Sequence, residues 1–87
     1  MKYQKYDLGQ LIGDEIVEVT LKGNSANVLL MNNSNFQKYR NEQQYKYYGG
    51  YIKQSPYKIK VPCSGRWFII IDLGGYSGSI RSSVRIL

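Results

Sequence analysis

Apolar and polar positions along this 87-residue chain fall mostly into short runs of period two. Glu15 to Lys22 alternates: Val17, Val19 and Leu21 point one way, and Glu18, Thr20 and Lys22 the other. Such a run is a strand with one wet face. Tyr57 to Val61 repeats the pattern, with Tyr57, Ile59 and Val61 inward and Lys58 and Lys60 outward. Ser79 to Leu87 reads as the last strand. Ile80, Val84 and Ile86 face the core with Ser82, and Arg81, Ser83 and Arg85 face out.

Two runs break the alternation by being apolar on both faces. Trp67 to Ile71 is continuously apolar, bounded by Ser64-Gly65 before it and Gly74-Gly75 after it. Five residues between such breakers read as a central strand, buried on both sides, in preference to a helix. Val28 to Met31 has the same character. With Gly23-Asn24-Ser25 as the turn, Glu15–Lys22 and Ala26–Met31 read as a β-hairpin.

The remaining segments are less regular. Tyr3 to Leu8 reads as a short first strand or edge piece, and Gly9 to Asp14 as a turn. Phe36 to Gln44 has no period of two. It is either a helix of one or two turns, capped by Ser34 or Asn35 with Phe36 and Tyr39 toward the core, or a long loop. Tyr45 to Lys53 reads as two strand halves with a bulge or bend at Gly49-Gly50. Gln54-Ser55-Pro56 closes it, Pro62 to Gly65 forms a tight link, and Gly74 to Gly78 a glycine-rich loop. The count is six to eight strands with at most one short helix. That pattern means an all-β fold, a small antiparallel β-sandwich or barrel, in a single domain over residues 1–87.

Composition narrows the function classes. Hydrophobic content of 43% suits a folded globule. No apolar run approaches the ~20 residues that span a bilayer, and the N-terminus has no apolar signal core. The expectation is a cytoplasmic domain with no membrane role. Histidine is absent and Cys63 is the single cysteine. That removes the usual general base and any cysteine-based metal cluster, and it points away from catalysis and away from a metal or cofactor. Cys63 as a nucleophile would need a neighbouring cation, and Arg66 stands three residues away.

Charge adds two candidate surfaces. The net charge is +6. Four of the six acids precede residue 20, whereas residues 38–60 hold six Lys/Arg against Glu42 alone, with most of the nine Tyr interleaved. Lysine with tyrosine can serve nucleic acid, through phosphate charge and base stacking; a solvated sheet face has the same composition. The outward row Arg81, Ser83, Arg85 is the best anion-site candidate, because the Arg fork suits phosphate and carboxylate. Its ordinary reading is a charged strand face that blocks edge pairing. Tyr48 and Tyr51, within Tyr47-Tyr48-Gly49-Gly50-Tyr51, are candidates for a stacking platform, and Arg66 for a further ligand contact; sheet packing, with a bend at the glycines, is the ordinary reading of the tyrosines. Gly74 to Gly78 matches no phosphate-loop spacing.

The chain also resembles a small bacterial family, domain of unknown function 1883. The resemblance rests on Tyr6-Asp7-Leu8-Gly9, Gly13 to Val19, Gly23 to Val28 and Ser34-Asn35-Phe36. It continues through Tyr47 to Gly50, Ser55-Pro56, Pro62 to Trp67 and Gly78 to Leu87. It implies a compact all-β domain with no established activity, and members joined to a TIR domain of immune signalling. By that analogy the domain is a sensing or docking part. The expected function is therefore a non-catalytic recognition module for a protein or a small anionic ligand. Nucleic-acid binding through the Lys/Tyr-rich middle is the alternative. A homo-oligomer is compatible with both.

Overall fold

A computed structural model describes residues 3–74 and 78–87. Its elements, in chain order, are β1 (Tyr3–Leu11), β2 (Ile16–Lys22), β3 (Ala26–Asn32), α1 (Asn33–Arg40), β4 (Tyr48–Ile52), β5 (Tyr57–Lys60), β6 (Gly65–Asp72) and β7 (Arg81–Ile86). They form a four-stranded sheet of order β1-β6-β3-β4 and a three-stranded sheet of order β5-β2-β7, with every pairing antiparallel. The fold is an all-β sandwich with one short helix.

The apolar run at Trp67 becomes β6, hydrogen-bonded to β1 on one side and β3 on the other. Trp67, Ile69 and Ile71 face the three-stranded sheet and join Val17, Val19, Val28, Leu30 and Val61 in the main core. Phe68 and Ile70 face away, and α1 covers them with Phe36 and Tyr39. Both faces of β6 are dry, which is why its sequence does not alternate.

The helix starts earlier than the sequence suggests. Asn32, not Ser34 or Asn35, is the N-cap: its side chain accepts from the Asn35 N–H at 2.9 Å. Ser34 therefore lies within the first turn. The inward pair Phe36 and Tyr39 is as expected, and the Phe36 ring stacks on Phe68 at 4.8 Å.

The supposed β2–β3 hairpin does not exist. Gly23 to Ser25 carries the chain from one sheet to the other, so β2 and β3 lie in different layers. Among the described strands, every connection crosses between the sheets except β3 to β4, which α1 interrupts. A short turn with Gly and Asn serves a crossing as well as a hairpin, and only the partner strands distinguish them.

Gly9 does not end β1. The register shifts between Asp7 and Gly9, leaving Leu8 as the extra residue of a bulge. Gly9 takes φ +74 and donates to Asp7 Oδ1 at 2.9 Å. The bulge changes the alternation, so that Tyr6 before it, the bulged Leu8 and Leu11 after it all meet the core.

The other departures are small. β4 keeps continuous register with β3, with no bulge at its glycines, and Tyr45 to Tyr47 lie outside it. A Cβ on Gly49 would stand 2.2 Å from the Val28 carbonyl oxygen, so close backbone approach is the reason for that glycine. Ile80 precedes β7. Ile86 lies opposite Val17, on the core side, yet is 43% exposed because β7 is an edge. Ser82 faces inward as expected, and the reason is polar: it bonds Gln4 and lies 2.6 Å from the Tyr6 hydroxyl, tying β7 to β1 across the sandwich. Of the glycine-rich loop, residues 75–77 fall outside the described ones.

Candidate functional site

Pairing of β2 with both β5 and β7 puts the outward residues of three strands on one face. Antiparallel partners share a face. Lys22 therefore stands opposite Arg81, Thr20 opposite Ser83, and Glu18 opposite both Arg85 and Lys58. Lys60, opposite Ile16, completes the face. Among the described residues, five cations share this face with one carboxylate, the hydroxyls of Thr20 and Ser83, and Ile16.

The charges are unevenly satisfied. Arg85 Nε donates to Glu18 Oε1 at 2.6 Å, and Lys60 Nζ lies 3.5 Å from Asp14 Oδ1. Among the described residues no carboxylate lies within ion-pair distance of Lys22, Lys58 or Arg81. Lys22 and Arg81 are like charges directly opposite each other, an arrangement that costs stability. Beside them Thr20, Ser82 and Ser83 help line a shallow hollow of about 180 Å³. A second hollow, of about 370 Å³, is lined by Glu18, Thr20, Ser83 and Arg85. Two cations and two hydroxyls at neighbouring register positions can meet the oxygens of a phosphate or sulfate from several directions.

The sequence-derived candidates do not form one site. Arg81, Ser83 and Arg85 lie together on this face. Arg66 lies on the opposite side of the sandwich, outward on β6, with its guanidinium 5.5 Å from the Phe68 ring centre and ion-paired to Asp7. That hydrogen bond, with the Gly9 N–H, holds the Asp7 carboxyl below its usual range. Tyr48 and Tyr51 share no platform either. Three residues apart on a strand, they point to opposite faces: Tyr48 opposite Leu30 and near Trp67 at 6.2 Å, Tyr51 opposite Asn27. Cys63 is exposed, and its carbonyl accepts from Trp67 Nε1 at 2.9 Å.

Sequence reasoning missed Lys22, Thr20, Lys58 and Lys60 as members of the face. Their outward direction was readable; the pairing of β2 with β5 and β7 was not. It also missed a buried polar cluster. Asp72, 5% exposed, accepts from the Tyr39 hydroxyl, Asn27 Nδ2 and the Gly74 N–H, all within 2.9 Å. Burial first, and then Asp72, push the Tyr39 hydroxyl far above its usual range.

A family model described as Domain of unknown function (DUF1883) matches residues 1–87, the whole length. The chain belongs to the DUF1883 family. No curated protein and no solved structure matches it. Membership of DUF1883 agrees with the sequence resemblance but assigns no residue a role, so the site stands on geometry alone. Among the described residues, no group of His, Cys, Asp or Glu could hold a metal ion, and no helix is long and apolar enough to cross a membrane.

Proposed function

We propose that this DUF1883 domain is a non-catalytic recognition module, and that the outer face of its three-stranded sheet binds a small phosphate-bearing ligand. One observation carries the reading: among the described residues Lys22 and Arg81 face each other without a carboxylate partner, beside the Thr20–Ser83 hydroxyl pair. Like charges at opposed positions cost stability unless an anion lies between them. A cytoplasmic setting, and a place as the sensing part beside a signalling part, belong to the same proposal.

Thermal shift with a panel of nucleotides, sugar phosphates and pyrophosphate tests it. A ligand at ten times its Kd stabilises by about 1.4 kcal/mol, which is roughly 5–10 °C for a domain this size. The shift disappears in Lys22→Ala and Arg81→Ala, whose unliganded melting temperatures are at or slightly above the wild-type value, since each removes the opposed like charge. Absence of any shift, or a shift that survives both substitutions, overturns the reading.

Nucleic-acid binding is a second reading, supported by Lys58 and Lys60 of the basic middle lying on the same face as Lys22, Arg81 and Arg85. The remaining cations and tyrosines of residues 38–60 are spread over α1, β4, the loops and the inward side of β5, where Tyr57 lies. This reading requires a DNA or RNA affinity that falls steeply with salt. Short DNA at low and moderate salt, included in the panel, separates the two.

A further inference from the structure

Among the described strands, three of the four sheet edges are guarded. β1 carries the Leu8 bulge. β5 is four residues long, follows Pro56 and bears Lys58 and Lys60. β7 bears Arg81 and Arg85. Bulges, short length, proline and charge are the devices that keep an open edge from pairing with another chain. β4 shares only its shortness with them. Its five residues, Tyr-Gly-Gly-Tyr-Ile, carry no charge and no proline, its register with β3 is unbroken, and among the described residues only β3 pairs with it.

The strand is also complementary to itself. Set two copies of β4 antiparallel and centred on Gly50, and each Gly49 meets the other copy's Tyr51. Each Tyr48 likewise meets the other copy's Ile52. An aromatic ring across from a strand glycine covers backbone that the glycine leaves bare, and Gly49 cannot carry a side chain of its own. Tyr with Ile is a favourable cross-strand pair. Tyr48 and Tyr51 are 50% and 61% exposed, so both have surface to bury. One step outward, Tyr47 meets the second copy's Lys53, a cation beside an aromatic ring. The Gly49–Tyr51 pairs fall on one sheet face and the Tyr48–Ile52 pairs on the other, as one two-fold axis through Gly50 requires.

We propose that β4 is a dimerisation edge whose occupant is the β4 of a second copy of this chain, joining two four-stranded sheets into one of eight. This goes beyond the anion-binding reading and is independent of it, because the basic face belongs to the other sheet.

Sedimentation equilibrium over a wide concentration range, with amide hydrogen exchange at each concentration, tests the proposal. The expected result is a mass that rises from 10.1 kDa towards twice that value, with slower exchange of amides in residues 48–52 as it rises. Tyr51→Lys puts a cation at each Gly49 contact; it is expected to keep the wild-type far-ultraviolet circular dichroism and to remain monomeric. A wild-type chain that stays monomeric at millimolar concentration overturns the proposal. So does a dimer in which exchange at residues 48–52 is independent of concentration, since a different surface then holds it.

Discussion

The hydroxyl of Tyr39 on α1 donates to Asp72 Oδ2 at the end of β6, over 2.8 Å and out of solvent. It fixes the helix to the central strand by a charge-assisted bond, beside the stacked Phe36 and Phe68 rings. Tyr39→Phe keeps the ring and removes the bond. A loss of about 1–3 kcal/mol is expected, read by urea denaturation. The pH dependence follows from the raised native value. Below pH 10 the hydroxyl is neutral in both folded and unfolded chains, and its full contribution is present. Above pH 10 the unfolded chain ionises first, so stability falls as pH rises. Tyr39→Phe flattens that alkaline decline.

Glu15 gives the opposite sign. Its carboxylate accepts from the Ile12 N–H at 2.9 Å and the Gly13 N–H at 2.7 Å, holding the turn before β2. The Ile12 bond leads in drawing the carboxyl below its ordinary 4.5. The contribution is present above pH 4.5 and lost as pH falls through the lowered native value. Glu15→Gln is expected to melt with a shallower acid dependence than wild type in scans from pH 6 to pH 3.

Gly49→Ala is expected to cost about 3 kcal/mol or more. The new methyl meets the Val28 carbonyl oxygen at 2.2 Å, at a φ of +116 that side chains rarely adopt. Gly50→Ala finds nothing within 4 Å and costs less. Equal melting temperatures for the two variants contradict the close approach of β3 and β4.

Lys22→Glu separates stability from recognition. It places a carboxylate opposite Arg81 and is expected to stabilise the domain by roughly 0.2–1 kcal/mol. The same substitution abolishes binding of phosphate-bearing ligands. A variant that is less stable, or that binds as before, argues against the Lys22–Arg81 pairing as a ligand site.

The fold was legible wherever a residue's environment is set by its own strand. The dry faces of β6 follow from Trp67 to Ile71, and the wet face of β2 from Glu18, Thr20 and Lys22. What local pattern does not encode is partnership. Gly23-Asn24-Ser25 reads as a hairpin turn because nothing nearby reveals that β2 pairs with β5 and β7. The candidate face suffers the same limit. Arg81, Ser83 and Arg85 share a strand and were found, while Lys22, Lys58 and Thr20 come from its neighbours. Tyr48 and Tyr51 are close in sequence, but three residues along a strand turn them to opposite faces.

The anion site is tested most directly by an NMR titration of the wild-type domain with inorganic pyrophosphate. The account requires saturable backbone shifts centred on Thr20, Lys22, Arg81 and Ser83, absent in Arg81→Ala. Shifts centred on Arg66 and α1, or small unsaturated drifts spread over all exposed lysines, contradict it.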